Sequence, residues 1–242
     1  MAIVPASYHE TAFYDAPEAV WPWPDNSGEC HCLTLRYSPD DEPSADMAAS
    51  LPPQLLRAVP KRKAEFLAGR KCAAEAIRRL TGQAIFPGMG EDRAPIWPEG
   101  VVGAISHSGD RAIALAGAGS RFLGIGIDIE KLLSEEEAAD IATQALTAHE
   151  LYSLGTGIDP FMTGLIFSAK ESLFKALYPT VRRLFFFEVA ELSAYDEEGS
   201  GTLRLTADLD GGWRKGTEVP FRFGHFEGFL LTRILLPPRD AP

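Results

Sequence analysis

The chain has 242 residues, enough for one large domain or two small ones, and its 45% hydrophobic and 24% charged content is ordinary for a globular protein. A net charge of −11 excludes a general polyanion-coating role, which argues against a nucleic-acid partner while leaving room for a local basic patch. The three cysteines, Cys30, Cys32 and Cys72, are too few for a disulfide framework and fit a reducing cytoplasm, and Cys30-His31-Cys32 has no second ligand cluster to make a metal site.

The first 29 residues show neither a basic leader nor an apolar run, and nothing approaches the ~20 apolar residues that span a bilayer; the expectation is a soluble protein without a membrane partner. Residues 1–53 are rich in Pro, Asp and Ser and read as loop around one strand at 30–38. A helix is expected near 53–59. A second begins at Pro60, with Phe66, Ala73, Ile77 and Leu80 as its apolar stripe and Gly82 as its stop. A Gly- and Pro-rich loop carries Arg93, and residues 101–119 read as strand, turn at Ser108-Gly109-Asp110, and strand. The stretch "RFLGIGIDIEK" alternates, with Ile125, Ile127 and Ile129 on one face and Gly126, Asp128 and Glu130 on the other. Residues 134–154 form one helical pattern, opened by a capping box of Ser134 and Glu137. "FSAKESLFKALYPT" is another helix, stopped by Pro179, and short strands are expected from Leu184 onward. Helices packed on hairpin strands give an α+β (α/β) architecture, with a boundary near 119–122 dividing an N-terminal half, 1–121, from a C-terminal half, 122–242.

Four patterns carry chemistry. Asp128 and Glu130 point the same way on a strand, roughly 6.5–7 Å apart, and such a carboxylate pair suits Mg²⁺, which favours hard oxygen ligands; Gly124 and Gly126 leave space for a ligand beside the pair. An exposed acidic strand face is the alternative. Glu171 is open to two readings: the close of a capping box with Ser168, or a carboxylate of a metal–phosphate site beside Lys170 and Lys175. Arg62 and Arg70 lie eight residues apart, about 80° around a helix, and lean to one flank of a basic segment that otherwise reads as a solvated face. Ser106 and His107 are strand neighbours with opposed side chains, so they form no nucleophilic dyad; His107 reads as a phosphate or sugar contact. No Walker or dinucleotide glycine motif is present. Together the patterns describe a site for a polyphosphorylated small molecule.

The ordered segments "RKAEFLAGRKCA", "GEDRAPIWPEG", "GAISHSGDRAIA", "GIGIDIE" and "FSAKESLFKALYP" resemble the 4′-phosphopantetheinyl transferases, in particular the enterobactin-type branch of the surfactin-type group. The resemblance runs from about Lys61 to Pro179. It implies two similar halves related by a pseudo-twofold, a monomer, and coenzyme A bound in the cleft between the halves. It implies Mg²⁺ on Asp128, Glu130 and Glu171. It implies that Arg62, Arg70, Arg93, Ser106 and His107 hold the phosphates and nucleotide end of coenzyme A, with Lys170 and Lys175 at the pyrophosphate. The implied partner is an acyl or peptidyl carrier protein of fatty-acid, polyketide, nonribosomal peptide or siderophore synthesis, modified on a serine with release of 3′,5′-ADP. Asp128, Glu171 and Lys175 are then the catalytic group, and the proton acceptor is either Glu171 or a water on the metal. Such carriers are acidic, as is this chain, so docking cannot rest on net charge; Phe185, Phe186 and Phe187, rimmed by Arg182 and Arg183, form either an apolar docking surface or ordinary core. The rivals are a Mg²⁺-dependent phosphohydrolase and a non-catalytic coenzyme A or carrier-binding module.

Overall fold

The structure, a computed structural model, describes residues 15–25, 29–155 and 157–239; the loop expected over residues 1–14 lies outside them. The described chain divides into two units, one of residues 15–21, 29–123 and 238–239, the other of residues 22–25 and 124–237. No helix among the described residues is long and apolar enough to cross a membrane.

The first unit contains β1 (Glu18–Ala19), β2 (Cys30–Arg36), α1 (Ala45–Ala48), α2 (Pro60–Thr81), β3 (Gly88–Met89), β4 (Pro95–Ile96), β5 (Val101–Ser108) and β6 (Arg111–Ala118). Its main sheet runs β1-β2-β6-β5, antiparallel throughout. The helix expected at 53–59 is only a 3₁₀ turn, Pro53–Leu55. Pro60 forces the preceding Val59 to an extended ψ of 153°, so no helix can run into α2 from upstream. Pro60 opens α2 and Gly82, in left-handed backbone at φ 80°, closes it. Ala64, Ala68, Ala73, Ala76 and Ile77 pack on Leu33, Leu35 and the small Ala112, Ala114 and Ala116. Small side chains on both sides bring helix and sheet close. Phe66 leaves the expected stripe and joins Leu51 and Leu67 in a separate cluster.

The second unit contains β7 (Gly124–Lys131), α3 (Glu135–Ala145), α4 (Ala148–Leu154), α5 (Pro160–Val181), β8 (Ala190–Tyr195), β9 (Ser200–Leu205), β10 (Glu218–Phe226) and β11 (Phe229–Leu236), with an antiparallel sheet in the order β7-β11-β10-β9-β8. Ser134 and Glu137 form the expected capping box. The helical pattern at 134–154 is interrupted, because Leu146 is extended and Thr147 starts α4 with a second capping box, to Glu150. Ser168 does not start a helix. α5 begins eight residues earlier, capped by Asp159, and continues past Pro179 to Arg182, which ends it in left-handed backbone. Pro179 lies in the last turn, where it removes one backbone hydrogen bond at most and the helix survives. The strand expected from Leu184 starts only at Ala190.

The two strand glycines are explained by α5 rather than by a ligand. A Cβ on Gly126 would lie 1.9 Å from the carbonyl oxygen of Ser172, and one on Gly124 would lie 2.1 Å from that of Ala176. The helix backbone occupies the space expected for a bound molecule. Segment 22–25 straps the same sheet. Asp25 pairs with the buried Arg233 and lies 3.8 Å from Arg222, Trp23 lies under the Arg233 guanidinium at 5.0 Å, and Pro22 abuts Gly224. Burial pushes the Asp25 carboxyl up, and the hydrogen bond and charge of Arg233, with Arg222, more than reverse this, so its pKa falls below the usual value.

Two measurements test this packing. Gly126→Ala is expected to cost on the order of 3 kcal/mol by forcing α5 off β7, seen as a melting temperature lower by about 10 °C; an unchanged melt refutes the close approach. Asp25 has a depressed folded pKa, so its contribution is complete above the unfolded value and fades as pH falls through the folded one. Asp25→Asn should therefore lower the melting temperature at pH 7 by a few degrees, and the difference from wild type should shrink steadily below about pH 4.

Candidate active site

Strand β7 and helix α5 bring the second unit's functional side chains together. Asp128 is only 2% exposed, and each of its oxygens accepts a hydrogen bond: Oδ1 from Lys175 Nζ at 2.7 Å, Oδ2 from Ser168 Oγ at 2.8 Å. Lys175 also donates to the Ile127 carbonyl at 3.1 Å and lies 4.0 Å from Glu171 Oε2. These contacts exist because the glycine strand lets α5 approach. Burial raises the Glu171 pKa; Lys175 opposes the rise and the Asp128 carboxylate adds to it. Asp128 and Glu171 therefore feel one another, with one ammonium serving both. Glu130 is half-buried two residues beyond Asp128 on β7. Among the described residues no three His, Cys, Asp or Glu side chains are gathered closely enough to hold a metal ion. The Asp128–Glu171 pair still fits a hard divalent cation by chemistry: two carboxylates arranged about one positive charge, with substrate oxygens free to complete the ligand set.

Lys170 is placed elsewhere. It is buried, donates to Glu150 Oε2 at 2.6 Å and to the Ala145 carbonyl at 2.9 Å, and burial lowers its pKa against the pull of Glu150. Its ammonium ties α5 to the end of α3 and the start of α4. Glu150 completes the knot: Oε2 also accepts the Thr147 N–H at 2.8 Å and Oε1 accepts the Leu192 N–H of β8 at 2.9 Å. Of the phenylalanines after α5, Phe185 packs tilted against Phe174 and Phe187 against Phe167, whereas Phe186 and Leu184 are exposed. Together with Glu171 and Phe174 they line a shallow apolar hollow.

The first unit gathers some of its expected anion-binding residues. Arg62 Nη1 lies 3.2 Å from both His107 Nε2 and Glu65 Oε2. Arg70 is buried over the Phe66 ring and donates to the Pro87 carbonyl at 3.1 Å; burial and the Arg62 charge press its pKa down to about 10, which leaves it charged at neutral pH. Ser106 is buried and His107 half-buried at the end of β5. Arg93 stands apart on the exposed tip of the β3–β4 turn, in left-handed backbone at φ 67°.

Residues 52–117 match the family described as the 4′-phosphopantetheinyl transferase N-terminal domain, and residues 124–223 match the 4′-phosphopantetheinyl transferase superfamily. The chain is 35% identical over 190 residues to the 4′-phosphopantetheinyl transferase Npt of Nocardia iowensis, a span of 74% of this chain and 85% of that protein. It belongs to the 4′-phosphopantetheinyl transferase superfamily. It is also 36% identical over 204 residues, 80% of each chain, to the 4′-phosphopantetheinyl transferase Svp of Streptomyces mobaraensis. With enterobactin synthase component D of Salmonella typhimurium it shares 43% identity over 118 residues, so the match spans about half, 48%, of that relative's length.

Sequence reading missed Glu65, Glu150, Ser172 and Thr232. Glu65 sits three residues from Arg62, and Ser168 and Ser172 share a helix face at i, i+4, spacings that could have marked them. Glu150 meets Lys170, and Thr232 meets Asp128, only through tertiary packing. If Lys170 is a structural anchor, Lys170→Met should cost about 3–5 kcal/mol by denaturant unfolding, because Glu150 keeps a buried unpaired charge; adding Glu150→Gln should recover part of the loss. A fully stable Lys170→Met protein contradicts that placement.

Proposed function

We propose that the protein transfers the 4′-phosphopantetheine arm of coenzyme A to a serine of an apo acyl or peptidyl carrier protein and releases 3′,5′-ADP. The observation that carries this reading is the Asp128–Lys175–Glu171 cluster within the matched superfamily segment. Enterobactin synthase component D is among the relatives, which makes a carrier of siderophore assembly the first substrate to try.

Asp128 and Glu171, with Glu130 two residues beyond Asp128 on β7, are the residues that would hold Mg²⁺. The ion would neutralise charge developing on the departing 5′-phosphate of 3′,5′-ADP as the diphosphate linkage breaks. Lys175 supplies a fixed ammonium for the same oxygens, already held in place by the Ile127 carbonyl. The carrier serine oxygen forms a bond to the pantetheine-side phosphorus as the phosphorus–oxygen bond to 3′,5′-ADP breaks. Burial raises the Glu171 pKa, so either Glu171 or a water on the ion would take the serine proton. Arg62, Arg70 and His107 of the first unit, with Ser106 and Arg93, are the candidate contacts for the 3′-phosphate and diphosphate. Exposed Leu184 and Phe186, beside Glu171 in the hollow, offer the carrier an apolar docking surface. Three buried cysteine thiols suit a reducing cytoplasm.

Mass spectrometry of apo carriers incubated with the protein, coenzyme A and Mg²⁺ tests the reaction: each modified carrier gains one phosphopantetheine. Release of 3′,5′-ADP without a carrier indicates a hydrolase instead. Glu171→Gln is expected to stay folded and lose at least about 100-fold in transfer; normal turnover by it overturns the assignment. Phe186→Asp should raise KM for the carrier about tenfold while leaving KM for coenzyme A unchanged, and equal effects on both would remove the docking role.

A further inference from the structure

Behind Asp128 lies a set of buried hydroxyls. Ser168, Ser172 and Thr232 are fully buried. Thr232 pairs directly across from Asp128 in the β7–β11 ladder, and the two serines lie one turn apart on α5. Ser168 Oγ is 2.8 Å from Asp128 Oδ2 and 2.9 Å from Thr232 Oγ1, and Thr232 Oγ1 is 2.8 Å from Ser172 Oγ. The carriers of the hydrogens follow from counting. An ionised carboxylate only accepts, so the Ser168 hydrogen goes to Asp128. Thr232 Oγ1 donates to the Ser168 carbonyl at 2.9 Å, and Ser172 Oγ to the Thr232 carbonyl at 3.0 Å. With the Ser168 hydrogen on Asp128, both hydroxyl–hydroxyl contacts are hydrogen bonds in one direction only, Ser172 to Thr232 to Ser168, each hydrogen being shared with the neighbouring carbonyl.

We infer that Ser172, Thr232 and Ser168 form a one-way hydrogen-bond chain that fixes the rotamer of Asp128 and presents its Oδ1 edge to a bound cation. They are positioning residues acting through Asp128, and the inference rests on the reading of Asp128 as a metal ligand. Aligned donors polarise one another, and a ligating carboxylate whose second oxygen is hydrogen-bonded is held in orientation. Oδ2 accepts from Ser168, so Oδ1, which shares Lys175 with Glu171, is the oxygen assigned to the cation.

The test is Mn²⁺ binding in the presence of coenzyme A, followed by the electron paramagnetic resonance signal of free Mn²⁺. Thr232→Val keeps the shape of the side chain and removes the hydroxyl; it is expected to weaken binding about tenfold. Thr232→Ser, which keeps the hydroxyl, is expected to bind like wild type, and Asp128→Asn to bind more weakly than Thr232→Val. Wild-type affinity in Thr232→Val, with Asp128→Asn impaired, overturns the chain alone. Equal weakening in Thr232→Ser and Thr232→Val assigns the residue to packing and also overturns it. Wild-type affinity in Asp128→Asn overturns both the chain and the metal reading. Should Thr232→Val fail to fold, Ser172→Ala removes only the first hydrogen of the chain; about threefold weaker binding supports the inference and no change refutes it.

Discussion

The second unit depends on a close backbone approach between one helix and one strand. Where β7 carries Gly124 and Gly126, α5 comes so near that its Ser172 and Ala176 carbonyls fill the space of the missing Cβ atoms. Every polar contact of the candidate site relies on that distance. Ser168 is short, and it reaches Asp128 only because the helix axis lies low over the strand. Lys175 can bond both the β7 backbone and Asp128 for the same reason. A branched or even a methyl side chain at Gly126 would lift the helix and separate acids, hydroxyls and ammonium together. The glycines serve the chemistry indirectly, by setting the height of the element that carries it.

Much of this was legible in the sequence. The alternation of "GIGIDIE" marked β7, and Pro60 and Gly82 marked the ends of α2, because those residues act through local backbone geometry. The Asp128–Glu171–Lys175 grouping was expected from the motifs that resemble the superfamily. What local rules misplaced was decided by partners far along the chain. Ser168 has the spacing of a cap, yet it lies mid-helix because Asp159 caps α5 earlier and Asp128 takes its hydroxyl. Lys170 looked like a substrate contact beside Glu171, but one helical step of about 100° turns it inward to Glu150. Thr232 could not be found at all, since its meaning comes only from facing Asp128 across a ladder.

Two separate knots of buried polar side chains sit on α5. One, around Lys170 and Glu150, joins α3, α4 and β8. The other, from Ser172 to Asp128, faces the candidate site. Adjacent residues Lys170 and Glu171 thus turn to different surroundings: the first ties α5 to α3 and α4, and the second lies beside Lys175.

The strap formed by residues 22–25 has a consequence for how the molecule is made. Asp25 and Arg233 are 208 positions apart, so synthesis delivers the strap long before the arginine that neutralises it. A chain emerging from the ribosome can assemble the first unit's helix and strands early, by comparatively local pairings. The second sheet acquires its last charge partner only when β11 is complete. Its closure is therefore a late event, and any premature stop before residue 233 leaves Trp23 and Asp25 without the surface they are shaped to cover.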